Sequence, residues 1–125
     1  IMHCFSGDAE LARECVRHGA WLSFPGVLTF KNAERTRQAL HATPVDKILV
    51  ETDAPFLTPH PRRGKRNGPY LIAHTIRFLS EQLDWDEASC CEQLRRNTLA
   101  AYGGPWEDVH GVTPLQLPAS GEETR

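Results

Sequence analysis

An α/β protein built on parallel strands is predicted by three observations. The first is the continuous apolar run Ile48-Leu49-Val50. It does not alternate with polar residues, so both faces of the strand are covered, as in a parallel sheet. The second is Glu51-Thr52-Asp53-Ala54-Pro55, a strand end that delivers two carboxylates and is then stopped by proline. Parallel α/β proteins place their chemistry at the C-terminal ends of strands. The third is the order of segments: strand end, helix, strand, helix, strand, long loop, helix, helix. This βαβαβ pattern with parallel crossovers fits a doubly wound sheet and part of a barrel equally well.

The elements follow in chain order. Ile1 and Met2 read as the tail of a strand, and the opening therefore reads as a cut boundary. Leu11, Ala12, Cys15 and Val16 recur at helical spacing and predict a helix over 9–18. Ser6 or Asp8 can cap its start, and Gly19 is its stop. Residues 20–24 predict a short strand broken by Pro25-Gly26, and 27–30 continue as a loop or a second short extended piece. Asn32 can cap a helix that runs to about residue 41, and Pro44 ends that region. Residues 45–51 form the clearest strand. Residues 54–69 are a long loop punctuated by Pro55, Pro59, Pro61, Pro69, Gly64 and Gly68.

Two helices come next. Over 70–82, Leu71, Thr75, Phe78 and Leu79 share one broad face, with Ile72 and Ile76 beside it. Trp85-Asp86 opens a helix to about residue 101, in which Cys90, Leu94 and Leu99 face inward, and Tyr102-Gly103 ends it. Residues 1–103 thus form the folded portion. Residues 104–125 have little periodicity and are expected to be a flexible C-terminal tail.

With 125 residues, a formal net charge of -2 and 40% hydrophobic residues, the chain suits one small soluble domain. No apolar run approaches the roughly 18 residues that span a bilayer, so no membrane partner is expected. The four cysteines include the neighbours Cys90 and Cys91 and do not form a disulfide framework. Reduced thiols in the cytoplasm are the expected state. The near-neutral charge does not suggest a protein that coats nucleic acid, but cations gather locally in Arg62-Arg63-Gly64-Lys65-Arg66.

Several side chains can carry chemistry. His3, ahead of the turn in HCFSG, can offer a nitrogen to zinc, manganese or nickel; taken alone, it reads as structural before it reads as a ligand. Asp53 follows the strand, so its carboxylate can point across the mouth of the sheet, bind a metal or accept a proton from metal-bound water. Glu51 lies two residues earlier and points the same way if the strand persists, as a supporting partner behind the ligands. The alternative is that both acids cap the following turn. Cys4 can be a ligand or nucleophile, and is read as a buried filler thiol.

The basic segment attracts a polyanion, and Asn67 adds an amide for a phosphate or a base edge. The alternative there is a solvated loop. Lys31 is a further phosphate candidate. Phe56 and Tyr70 flank the basic loop and are expected to pack under it rather than stack on a base. His60, His74 and His110 show no ligand spacing, and His18 is expected to cap a helix end. No GxGxxG, P-loop, HExxH or CxxC pattern occurs, and Ser6 and Ser23 lack a His–Asp partner order.

At these residues the chain resembles the TatD family of metal-dependent deoxyribonucleases, within the amidohydrolase-like barrels. The matching pieces are HCFSG at 3–7, SFPGVLTFKNA at 23–33, ETDAPFLTP at 51–59 and RGKRNGP at 63–69, with Asn97 also in place. The resemblance implies the C-terminal three strand-helix units of a TIM-like (β/α)8 metal-dependent hydrolase barrel, incomplete as an isolated chain. It implies that His3 is a metal ligand and that Asp53 is both ligand and catalytic carboxylate, with Glu51 in support. Arg63, Lys65, Arg66 and Asn67 would meet substrate phosphates. The implied cofactor is a divalent metal ion (Mg, Mn or Zn), and the implied substrate is DNA.

Family members often carry a glutamate where Gly68 stands. The family's His-x-His pair, a further glutamate and a further histidine have no counterpart in this chain. Three strands cannot close a barrel, so self-association or a missing N-terminal barrel part is expected. The competing reading is a non-catalytic α/β interaction or nucleic-acid-binding module.

Overall fold

A computed structural model describes residues 1–103. The expected tail over 104–125 lies outside the described residues. The order is α1 (Ala9–Arg17), β1 (Leu22–Phe24), a 3-10 turn (Gly26–Thr29), α2 (Glu34–Ala42), a 3-10 turn (Val45–Lys47), β2 (Ile48–Val50), a long loop, a 3-10 turn (Pro69–Leu71), α3 (Ile72–Gln82) and α4 (Glu87–Tyr102). β1 and β2 pair in parallel, with Leu22 opposite Ile48 and Phe24 opposite Val50. Met2 adds an isolated parallel bridge to Leu22. The strand tail expected at Ile1 and Met2 is seen as this single bridge. The sheet is unclosed, and the alternating units resemble part of a TIM-barrel-like hydrolase core.

The helices α1 and α4 begin at side-chain acceptors. Asp8 caps α1 by accepting from the Leu11 N–H at 2.9 Å, and Asp86 caps α4 by accepting from the Ser89 N–H at 2.9 Å. Asn32 does not cap α2; the capping residue is Ala33, and no side chain caps that end. The strand expected over 45–51 is confined to its apolar run, Ile48–Val50, because Val45–Lys47 closes a 3-10 turn before extension begins. Residues 26–29 turn as a 3-10 helix rather than extending. Arg37 holds that turn, donating to the carbonyls of Leu28 at 3.2 Å and Phe30 at 2.8 Å.

The core lies between the short sheet and all four helices. Leu22, Phe24, Leu28, Leu40, Ile48, Leu79 and Cys90 are buried there with Phe5, Ala12, Ala39 and Leu94. Phe5 meets Phe24 edge to face, with ring centroids 5.9 Å apart. Each fully buried Leu, Ile or Phe contributes roughly 1.5–3 kcal/mol. On α4 the inward positions are Cys90, Leu94 and Asn97. Leu99, expected inward, is only partly covered, since Asn97 holds the inward position one turn after Leu94. Asn97 donates to the carbonyls of Val45 and Ile48, both at 2.7 Å, and so fastens α4 to the entry of β2.

Candidate metal centre

The strand ends deliver the site. The Met2 N–H donates to Trp21 O at 2.7 Å and the Ser23 N–H to Met2 O at 3.0 Å, so the bridge to β1 aims His3 at the mouth of the sheet. Cys4 then takes a positive φ of 49°, and the Phe5 N–H returns to Ser23 O at 2.9 Å. On the neighbouring strand, the Glu51 N–H donates to Phe24 O at 3.2 Å, the last rung beyond β2. Asp53 follows in the left-handed region, at φ 55°. A side chain other than glycine pays about 1 kcal/mol or more there. The turn that carries Asp53 is therefore held by its surroundings.

His3, Glu51 and Asp53 converge: one ligand atom from each lies within 4.8 Å of the others. His3 Nδ1 lies 2.9 Å from Glu51 Oε1. That carboxylate oxygen is buried, yet it has no hydrogen bond of acceptable geometry among the described residues. The close approach of His3 is an ion-pair distance without the alignment of a hydrogen bond. A buried carboxylate oxygen left in this condition is costly unless a proton donor or a cation reaches it. One imidazole nitrogen and two carboxylates, with His3 still exposed, form a donor set that fits a divalent cation.

Glu51 thus stands in the cluster itself, although β2 ends at Val50. The readable signal was its spacing of two residues from Asp53. Cys4 is half-buried, and its thiol is pushed up first by burial and then by the negative charges of Asp53 and Glu51. Both effects disfavour the thiolate, which weakens the thiol as a nucleophile.

The basic loop divides into two parts. Arg62, Lys65 and Arg66 line a cavity of about 360 Å³ with Tyr70, Leu71 and His74. Among the described residues, no acidic one lines it. Burial, then the charges of Arg62 and Arg77, hold the His74 pKa below the usual histidine range. Arg63 instead places its guanidinium 3.9 Å over the Phe30 ring. Asn67 is buried, with both amide hydrogens and its carbonyl engaged by backbone groups, so its amide is not free to meet a phosphate. Phe56 and Tyr70 do not pack under the loop; they are 68% and 77% exposed. The Tyr70 ring lies over Gly68, where a Cβ would meet its Cε1 at 2.5 Å. Among the cavity residues, Arg62 was read only as part of the basic segment, Tyr70 was expected to pack under the loop, and His74 was set aside for want of ligand spacing.

A family described as "TatD related DNase" matches residues 1–103. The chain is 44% identical over 106 residues to an uncharacterized metal-dependent hydrolase TatD of Mycobacterium tuberculosis, covering 85% of this chain and 40% of that protein. It is 51% identical over 81 residues to the uncharacterized metal-dependent hydrolase YabD of Bacillus subtilis, covering 65% of this chain and 32% of that one. The chain thus spans well under half the length of these relatives. Among solved structures, YJJV, a TatD homolog from Escherichia coli K12, superposes with a TM-score of 0.75 at 28% identity, over 82% of this chain and 40% of its own.

Proposed function

Because the chain belongs to the TatD related DNase family across residues 1–103, we propose that it supplies part of the active site of a divalent-metal-dependent hydrolase that cleaves phosphodiester bonds in DNA. The observation that carries this reading is the convergence of His3, Glu51 and Asp53, with a buried Glu51 oxygen that has no hydrogen bond among the described residues. When bound, a divalent cation supplies Lewis acidity toward a phosphoryl oxygen and lowers the pKa of nearby water. His3 offers a neutral imidazole nitrogen. Glu51 and Asp53 offer carboxylate oxygens, and Asp53 can also take the proton of the attacking water. Arg62, Lys65 and Arg66 neutralise substrate phosphates, and Arg63 extends the positive rim from its seat on Phe30.

The unclosed sheet supports a partner for the chain, either a complementary barrel portion or a second copy. On its own the chain is expected to bind metal weakly and to show little nuclease activity. No helix among the described residues is long and apolar enough to cross a membrane. Four free cysteines support a reducing compartment such as the cytoplasm.

Calorimetric titration with Mn2+ tests the reading directly. Wild-type chain should bind, and Asp53→Asn and His3→Ala should each weaken binding by about tenfold or more. Unchanged affinity in both variants would sink the proposal. The cationic cavity favours one alternative, a non-catalytic nucleic-acid-binding module. Salt-sensitive DNA binding that survives chelation and Asp53→Asn, with no hydrolysis in the assembled protein, would establish that alternative.

A further inference from the structure

We infer that Asn67 is a positioning residue for the metal centre, holding the Asp53 carboxylate in place through the backbone on both sides of it. The inference rests on the reading of Asp53 as a metal ligand. Asn67 Nδ2 donates to the carbonyl oxygen of Thr52 at 2.7 Å and to that of Phe56 at 2.6 Å. Thr52 immediately precedes Asp53, and Phe56 closes the turn after it, its N–H donating to Asp53 O at 2.9 Å. The Asn67 backbone N–H reaches Pro55 O at 3.2 Å. One residue therefore holds three carbonyls of the turn that presents the ligand.

The orientation of the amide is determined by its partners. Asn67 Oδ1 accepts from the Gly68 N–H at 2.9 Å, so the NH2 group must face the two carbonyls. A flipped amide would set its oxygen against both of them. The residue is 5% exposed, so water does not readily substitute for these bonds. Asp53 needs such support because its backbone sits at φ 55°, a conformation that an unconstrained aspartate seldom holds. The hydrogen bonds of the Asn67 side chain all go to backbone groups, so it acts through the turn. The requirement is for two donors and one acceptor in a planar group, which asparagine satisfies at this reach and aspartate does not.

The test compares Asn67→Ala, Asn67→Ser, Asp53→Asn and the control Thr58→Val in the full chain. Thr58 Oγ1 donates to Lys65 O at 2.6 Å, which ties the same loop through a carbonyl outside the Asp53 turn. Two readouts are needed: Mn2+ affinity by calorimetry, and hydrogen exchange of the Phe56 amide in metal-free protein. Asn67→Ala should weaken Mn2+ binding about 10–100-fold and expose the Phe56 amide to exchange. Thr58→Val should do neither. Asn67→Ser keeps one donor and should fall between, and it provides the comparison if the alanine variant does not fold. In an Asp53→Asn background, Asn67→Ala should change metal affinity less than about twofold, since both act on one ligand.

Asp53→Asn without loss of Mn2+ affinity would overturn the metal reading itself. Loss in Asp53→Asn but wild-type affinity and Phe56 protection in the Asn67 variants would overturn this inference alone. Asn67 variants that lose DNA affinity while retaining Mn2+ affinity would return the amide to a phosphate-binding role.

Discussion

Gly26 lies against the backbone of Leu57 so closely that a Cβ at position 26 would meet the Leu57 carbonyl oxygen at 2.4 Å. The 3-10 turn after β1 and the loop after β2 are therefore in van der Waals contact, and Thr29 adds to the contact by accepting from the His60 N–H at 2.9 Å. Gly26→Ala should force the two segments apart at a cost of about 1–3 kcal/mol. Urea denaturation read by circular dichroism should show a lower midpoint with an unchanged slope; an unchanged midpoint would mean that the two segments separate freely.

Asn97→Ala should also destabilise the chain, by about 1–3 kcal/mol, because it leaves the Val45 and Ile48 carbonyls without their donor. Asn97→Asp should be worse at neutral pH, since a buried carboxylate would face the same two oxygens. Thermal unfolding of the two variants against wild type orders the three proteins. The reverse order would show that the amide hydrogens are not what joins α4 to β2.

Cys90 provides an alkaline stability limit. It is 1% exposed, and burial, followed by the charges around it, pushes its thiol up to about 11 from an ordinary 9.0. Between those values the unfolded chain releases a proton that the native chain keeps, so stability falls as pH rises. The loss across that window is on the order of 2–3 kcal/mol. Cys90→Ala removes this part of the pH dependence, so the variant should show a shallower decline in unfolding midpoint over the same range. Parallel declines would mean that the thiol ionises in the folded state as readily as in the unfolded one.

Charge removal should separate the basic loop into its two parts. Each of Arg62→Ala, Lys65→Ala and Arg66→Ala should lower DNA affinity and reduce the salt slope by about 0.7–0.9. Arg63→Ala should mainly remove the stacking on Phe30, with a stability loss of about 0.5–1 kcal/mol and a smaller change in slope. Fluorescence anisotropy across a salt series distinguishes the two behaviours, and equal slopes for all four variants would dissolve the distinction.

Tyr70 should act on affinity without acting on charge. Its ring is exposed beside three cations, so Tyr70→Ala should weaken binding of a single-stranded oligonucleotide by about 1–3 kcal/mol with an unaltered salt slope. A wild-type affinity in that variant would leave the ring as a cover for Gly68 and nothing more.

Much of this organisation was readable along the chain. The helices α1, α3 and α4 follow from apolar spacing, and the caps Asp8 and Asp86 stand where the pattern begins. The position of Asp53 behind β2 followed from the apolar run and the proline after it. Period and punctuation are local properties, and they suffice for regular elements. They failed at Asn32 and at Val45–Lys47, where contacts with the rest of the fold, rather than propensity, decide where a helix or strand begins.

The residues alone were enough to establish the α/β order, the His3 and Asp53 candidates and the basic segment, because each is a statement about neighbours in the chain. Three-dimensional packing was needed to bring Glu51 Oε1 into the cluster, to seat Arg63 on Phe30 and to turn the Asn67 amide toward Thr52 and Phe56. Those relationships join residues 11 to 48 positions apart, across strand ends and an irregular loop. An irregular loop has no repeat from which the direction of a side chain can be read, so its hydrogen bonds and charges find their partners only when the elements on either side are packed.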